Sequence, residues 1–397
     1  MSHIIEFKIS GLVGRKDVYK QKLNRDVNIF FGPNGSGKTS LLRILDSAMT
    51  GDSSSIEFVP FESAEVKIYS LKYKKESVRS INMGDLNYKP SKRKPKEYKI
   101  PEYFDEETGP IRVPRQYKEG EMPIWKTTPM KPDLSRSRWE HIYLPTWRLY
   151  GEDEPYSIAM RRGEPPQIQR EYDWDAFFAQ RLEELWISFT NQLLREVRII
   201  QEEGLASILR GILTTKPSRK RKMKSLDLER TYSRVAAFLA RQGSQDVLGS
   251  LDMFEKRYVD DSQIQGVISD INTIEQRIEE TMASREKLKQ LITDMFTGKK
   301  KLMFKDVGIE VETDDGKKIG LTSLSSGEKH SLWIFIETLL AESNTLLIDE
   351  PEMSMHVDWQ NRLISSMCQL NPDVQLIMAT HSPEIMADIT DDKIFTL

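Results

Sequence analysis

The stretch Gly32-Pro33-Asn34-Gly35-Ser36-Gly37-Lys38-Thr39 decides how this chain is read. It fits G-x-x-x-x-G-K-[ST], a loop that cradles nucleotide phosphates. Ahead of it, Asn28-Ile29-Phe30-Phe31 is a short apolar run suited to a buried strand. Behind it, Ser40-Leu41-Leu42-Arg43-Ile44-Leu45 has helical spacing. The glycines let consecutive backbone N–H groups curl around an anion, and the helix N-terminus adds partial positive charge. The expected contacts of a bound nucleotide are therefore Asn34, Gly35, Ser36, Gly37, Lys38, Thr39 and Ser40. Lys38 is expected to reach the β- and γ-phosphates, and the Thr39 hydroxyl to ligate Mg²⁺.

Composition narrows what surrounds this loop. With 397 residues the chain has room for two or three domains, or for one core domain carrying a large insertion. Charged residues make up 30% and the net charge is only −3, so no global basic character advertises nucleic acid. The single cysteine, Cys368, excludes an intrachain disulfide framework and a cysteine-based zinc site, and the reading is a reducing cytoplasm. No apolar run approaches the roughly 18 residues that span a membrane.

Outward from the loop, Ile4–Ile9 reads as an edge strand, and Gly11–Asp17 as a turn. Arg15 and Lys16 either return to the nucleotide or lie in solvent. Alternation in Ser55–Val59 and in Ala64–Tyr69 predicts further strands. From about Lys72 to Lys131 prolines and lysines dominate, as in Lys89-Pro90-Ser91-Lys92-Arg93-Lys94-Pro95-Lys96, which predicts irregular structure or edge strands. Glu140–Arg148 reads as a strand entering a proline turn. Tyr172 to about Thr297 reads as mainly helical. Phe177, Phe178, Leu182, Leu185, Trp186, Phe189 and Leu193 make one apolar stripe, and Gln263–Phe296 carries a near-heptad second one. Lys216-Pro217-Ser218-Arg219-Lys220-Arg221-Lys222 between them is either a solvated tip or a contact for nucleic acid or an acidic partner. After Lys301, Val307–Glu312 alternates and Asp314-Asp315-Gly316 makes a turn.

Three motifs close the chain. Leu324-Ser325-Ser326-Gly327-Glu328-Lys329 opens a helix, with Ser325 or Ser326 and the Gly327 backbone at its anion-favouring end. Thr345-Leu346-Leu347-Ile348-Asp349-Glu350-Pro351-Glu352 is an aliphatic strand ending in carboxylates. There Asp349 is placed to hold Mg²⁺ through its water shell, and Glu350 to polarise an attacking water. Gln375-Leu376-Ile377-Met378-Ala379-Thr380-His381-Ser382-Pro383 is a further strand ending in histidine. His330 and His356 have no second ligand at metal spacing and read as structural or surface residues.

Together these motifs resemble the ABC-type ATPase heads of the RecF/SMC/OLD group, over roughly Met1–Leu71 and Leu302–Leu397. D-E-P-E followed by histidine and glutamine, and A-T-H-S-P, are most similar to the overcoming-lysogenization-defect branch. Relatives there serve bacterial anti-phage systems such as the PARIS, Septu and retron-linked modules. The resemblance implies an α/β P-loop ATPase head with a mixed sheet, interrupted by a large mainly helical insertion. The expected division is 1–71 for the N-terminal lobe, 72–165 for the Pro/Lys-rich segment and returning strand, 166–300 for the insertion, and 301–397 for the C-terminal lobe. It further implies ATP and Mg²⁺ as cofactors, with Thr39 and Asp349 at the metal and Glu350 and His381 in catalysis. Ser325, Ser326, Gly327 and Glu328 would cap the γ-phosphate held by the loop of a second subunit, and His356 would lie at the dimer seam. The implied partners are a second copy or a larger homo-oligomer, and a separate effector such as a nuclease or toxin. No Toprim or H-N-H pattern follows the ATPase motifs. DNA contact stays open, and a RecF-like DNA repair ATPase is the alternative. No plain glutamine of the family's Q-loop is assigned. Gln167, Gln169 and the region around Arg148 are the candidates.

Overall fold

The computed structural model describes residues 2–71, 73–85, 124–128, 139–146, 174–213, 225–241, 243, 248–260, 262–296 and 300–397. In chain order its strands are β1 (Ser2–Ser10), β2 (Val18–Lys22), β3 (Val27–Phe31), β4 (Ser63–Ser70), β5 (Lys75–Asn82), β6 (Lys126–Thr128) and β7 (His141–Leu144). These are followed by β8 (Lys300–Lys305), β9 (Gly308–Thr313), β10 (Lys318–Ile319), β11 (Thr345–Asp349), β12 (Gln375–Thr380) and β13 (Ile394–Thr396). The helices are α1 (Lys38–Thr50), α2 (Trp174–Leu213), α3 (Ser225–Arg241), α4 (Leu251–Asp260), α5 (Ser262–Met295), α6 (Ser326–Leu340) and α7 (Val357–Leu370). The chain forms two compact units, one of residues 1–168 with 341–397 and one of residues 169–340.

The first unit holds two five-stranded sheets in which antiparallel and parallel pairing are segregated. One runs β2-β1-β4-β5-β6 with antiparallel neighbours, and the other runs β13-β3-β12-β11-β7 with parallel neighbours. Parallel strands covered on both faces read as unbroken apolar runs, and β11 and β12 are buried at every position. The antiparallel strands alternate, with Ile4, Phe7, Ile9, Ala64, Val66 and Ile68 facing the core. Helix α1 contributes Leu41, Leu42, Ile44, Leu45, Ala48 and Met49 to the same cluster as Phe30, Leu347 and Ile377, so both sheets bury it. The side chain of Gln375, fully buried, ties the sheets together. It accepts from Ile4 N–H at 2.9 Å and donates to Ile4 O at 2.8 Å and Asn24 O at 2.8 Å. In a buried amide with its donors and acceptor paired, the hydrogen bonds offset the cost of desolvation.

Two local readings change here. β1 is not an edge strand, because β2 and β4 flank it. Ser55–Val59 is not a strand. Asp52 Oδ1 accepts from Ser54 N–H at 2.9 Å and starts a 3-10 turn over Ser54–Ile56, which buries Ile56 and leaves Phe58 76% exposed. The C-terminal end of α1 has a partner that no motif announces. Arg79 on β5, 1% exposed, donates through Nη1 to Ala48 O at 2.6 Å and Met49 O at 3.1 Å, and lies 3.9 Å over the Trp139 ring. A cation at the negative end of a helix dipole is favourable, although burial lowers this guanidinium to about 10.

The second unit is helical with a three-stranded antiparallel sheet, β10-β9-β8. The stripe of α2 is buried as expected at Phe178, Leu182, Leu185, Trp186, Phe189 and Leu193, and that of α5 at Ile268, Ile271, Ile274, Ile278 and Leu288. The two helices approach closely at Gly204, where a Cβ would lie 2.3 Å from Ile274 Cδ1. Trp186 is fully buried, donates from Nε1 to Lys305 O at 2.6 Å, and packs 4.9 Å from the Phe304 ring. Phe178 meets the ring of Trp333 on α6 edge-on at 6.0 Å, and with Trp186 these contacts gather β8–β10 and α6 with the long helices of this unit. The basic runs at 89–96 and 216–222, Arg148, Gln167 and Gln169 lie outside the described residues.

Candidate functional site

Register explains why one end of the parallel sheet collects the motif residues. Phe31, the last residue of β3, pairs with Thr380, the last of β12, while Asp349, the last of β11, pairs with Ala379. All three strands therefore end at one level, the edge where open α/β sheets bind ligands.

The glycine loop leaves β3 at this edge. Gly35 and Gly37 take φ of +81° and +100°, which only glycine adopts without strain, and a Cβ on Gly37 would meet Val13 Cγ2 at 2.5 Å. Asn34 and Gly35 are exposed at the crest, Ser36 and Lys38 are buried, and Thr39 and Ser40 are half-buried. Helix α1 starts at Lys38 with no side-chain cap on its first turn. Lys38 Nζ donates to Gly32 O at 2.8 Å and Pro33 O at 3.0 Å, so the ammonium lies along the loop backbone. Arg15 Nη2 donates to Ser36 O at 3.2 Å, which brings this residue back to the loop.

Asp349 sits deeper, 1% exposed. Its Oδ2 accepts from Thr146 Oγ1 at 3.1 Å, and the Thr39 hydroxyl lies beside this carboxylate. Burial pushes the carboxyl above its usual range, the Thr39 and Thr146 hydroxyls pull it down, and the Glu350 charge beside it adds to the rise. Asp349 Oδ1 is buried without a hydrogen-bond partner among the described residues, as is Ser36 Oγ. An orphaned carboxylate oxygen beside a threonine hydroxyl at the head of a phosphate loop fits a hard divalent cation. No group of three or more acidic, histidine or cysteine side chains able to hold a metal by themselves exists among the described residues. Two protein oxygens with phosphate and water completing the shell is the arrangement Mg²⁺ favours.

Glu350 follows at φ +50°, a left-handed conformation uncommon outside glycine, with its N–H held by Ala379 O at 2.8 Å. His381 Nδ1 lies 3.7 Å from Glu350 Oε1 and 3.2 Å from Glu352 Oε1. Glu352, 6% exposed, also accepts from Thr380 Oγ1 at 2.7 Å and His381 N–H at 3.1 Å. Sequence reading gave Glu352 and Thr146 no task. The signal was the fourth letter of D-E-P-E, one residue beyond the proline that turns the chain back toward β12.

In the second unit, Ser325 and Glu328 form a reciprocal cap at the start of α6. Ser325 N–H donates to Glu328 Oε2 at 2.6 Å, and Glu328 N–H donates to Ser325 Oγ at 3.2 Å. Ser325 and Ser326 are exposed and Gly327 is buried. Lys300 Nζ stands 3.5 Å from Glu328 Oε2. His330 is a core residue, 2% exposed, and His356 is an exposed cap of α7 whose Nδ1 accepts from Asp358 N–H at 3.4 Å.

A family profile described as "AAA domain, putative AbiEii toxin, Type IV TA system" matches residues 27–387. A curated relative, "Retron Vc95 probable ATPase" of Vibrio cholerae serotype O1 biovar El Tor, is 27% identical over 93 residues. That match covers 20% of this chain and 18% of the relative's length. Among solved structures, the Smc head domain with an extended coiled coil bound to the C-terminal domain of ScpA, from Pyrococcus furiosus, aligns at 12% identity and TM-score 0.41, covering 98% of this chain and 92% of that one. The SMC head domain from Thermotoga maritima aligns at 10% identity and TM-score 0.41, covering 97% and 91%. Neither superposition is close enough to define the fold. No described helix is long and apolar enough to cross a membrane.

Proposed function

This chain belongs to the family described as "AAA domain, putative AbiEii toxin, Type IV TA system", and from that premise we propose that it is the ATP-hydrolysing subunit of a bacterial anti-phage defence complex. In this reading the chain has an ABC-type head carrying a helical insertion within 166–300. ATP is held between two protomers, the phosphate loop of one facing Ser325, Ser326, Gly327 and Glu328 of the other. The homodimer or larger oligomer gates a separate effector, a nuclease or toxin. The retron-associated relative supports the defence setting.

One observation carries the catalytic part: Asp349 is buried against Thr39 at the end of the parallel sheet, with Oδ1 unsatisfied. Thr39 and Asp349 would hold Mg²⁺, which when bound neutralises phosphate charge. Backbone N–H groups of residues 34–40 and the Lys38 ammonium bind the triphosphate. The Glu350 carboxylate takes a proton from the attacking water as its oxygen bonds to the terminal phosphorus and the bond to ADP breaks. His381 lies across from Glu350 and contacts the transferred phosphate.

Glu350→Gln is the direct test. The variant binds ATP, loses hydrolysis by about 100-fold or more, and accumulates as an ATP-dependent dimer in sedimentation velocity. Wild-type turnover in Glu350→Gln removes the assigned base, and a sedimentation profile unchanged by ATP removes the shared site.

A further inference from the structure

Glu352 is a buried carboxylate with more work than a strand cap requires. Its Oε1 accepts from the Thr380 hydroxyl at 2.7 Å and the His381 backbone N–H at 3.1 Å, and His381 Nδ1 lies 3.2 Å from the same oxygen. Thr380 Oγ1 in turn accepts from Ser382 N–H at 3.0 Å. The turn from Thr380 to Ser382 is therefore wired through one oxygen, and such a network resists rearrangement. A carboxylate oxygen only accepts, so a ring nitrogen that bonds to it does so as the donor. The partner of one ring nitrogen decides the state of the other.

We propose that Glu352 is the positioning residue of the hydrolytic site: it holds the His381 imidazole as the Nδ1–H form and leaves Nε2 as the nitrogen that meets phosphate. This rests on the ATPase reading above. Two carboxylates stand beside Nδ1, Glu352 at 3.2 Å and Glu350 at 3.7 Å, and both favour Nδ1 as the nitrogen that bears hydrogen. Glu352 touches no substrate in this scheme and acts through the ring. Glu350 and Glu352 then divide the work. The first is half-buried at the strand end beside the water to be activated, and the second is 6% exposed behind the histidine.

Two measurements test the assignment. The first is ¹⁵N NMR of the histidine-labelled chain without nucleotide, with His381 identified by the signals lost in His381→Ala from a chain of five histidines. Wild type shows a proton-bearing Nδ1, and Glu352→Ala converts it to a lone-pair nitrogen. An unchanged tautomer overturns the proposal. The second is kinetic and uses Glu352→Gln, which keeps a carbonyl oxygen for Thr380 and the His381 N–H. Its kcat falls about 10- to 100-fold while its ATP Kd stays within about twofold, and adding it to His381→Ala costs nothing further. Additive losses, or wild-type kcat in Glu352→Gln, overturn the proposal in favour of a purely structural carboxylate. A wild-type chain that neither binds nor hydrolyses ATP instead removes the ATPase reading. The tautomer measurement then still decides the Glu352–His381 contact.

Discussion

Two helix N-termini in this protein carry glycine and serine, yet they are finished in opposite ways. Helix α1 begins with no side-chain cap, and its first buried residue is a lysine turned along the loop. Helix α6 begins with its own serine and glutamate closed on each other. A first turn with free N–H groups is held together by an anion or by water, whereas a capped turn is stable alone. In the proposed reading, the difference separates a phosphate cradle from a tip that is presented ready-made. The proposed sandwich of two chains calls for one end of each kind.

The largest effect expected from this contrast is at Lys38. Lys38→Ala raises the Kd for ATP by about 100-fold or more, while Ser325→Ala leaves it within about twofold and lowers turnover, as equilibrium binding and phosphate release would read. Equal loss of binding in both variants would erase the distinction between cradle and lid.

Asp349 sharpens the comparison from the stability side. Burial holds its folded-state pKa above the usual 3.8. The folded chain therefore binds that proton more tightly than the unfolded chain. The advantage exists below the raised value and is lost as pH climbs from the unfolded pKa through the folded one. At neutral pH the carboxylate costs stability. Asp349→Asn removes hydrolysis and raises the apo melting temperature on the order of 5 °C at pH 7. A melting temperature that falls would show that the Thr39 and Thr146 bonds outweigh burial.

The smallest effect concerns the capped end. Glu328→Ala removes half of the reciprocal cap and costs about 1 kcal/mol, read by urea denaturation. Kd for ATP at the phosphate loop stays unchanged. A larger loss would mean that Glu328 also supports Lys300 in a way the 3.5 Å separation does not suggest.

Much of the candidate site was legible because its residue types are local in sequence. The glycine loop needs small residues at fixed spacing, and Asp349 and Glu350 stand where an aliphatic strand meets the sheet edge. The α2 and α5 stripes were legible for the same kind of reason, since a helix repeats its face every three or four residues. Ser55–Val59 misled because an aspartate one turn earlier bonds the backbone, and that competition is invisible to alternation. β1 was misplaced because strand order is a property of pairing, not of any strand's own residues.

Composition and spacing alone determined the phosphate loop, the acidic strand end and the α/β alternation around them, because each is written in neighbouring residues. Tertiary structure decided the partners. Arg79 closes α1 from a strand about thirty positions on. Gln375 joins the two sheets, and Glu352 meets His381 across the turn after β12. These pairings depend on which strand ends share a level in the sheet. Hydrogen bonding between distant segments sets that level, and no short window of sequence records it.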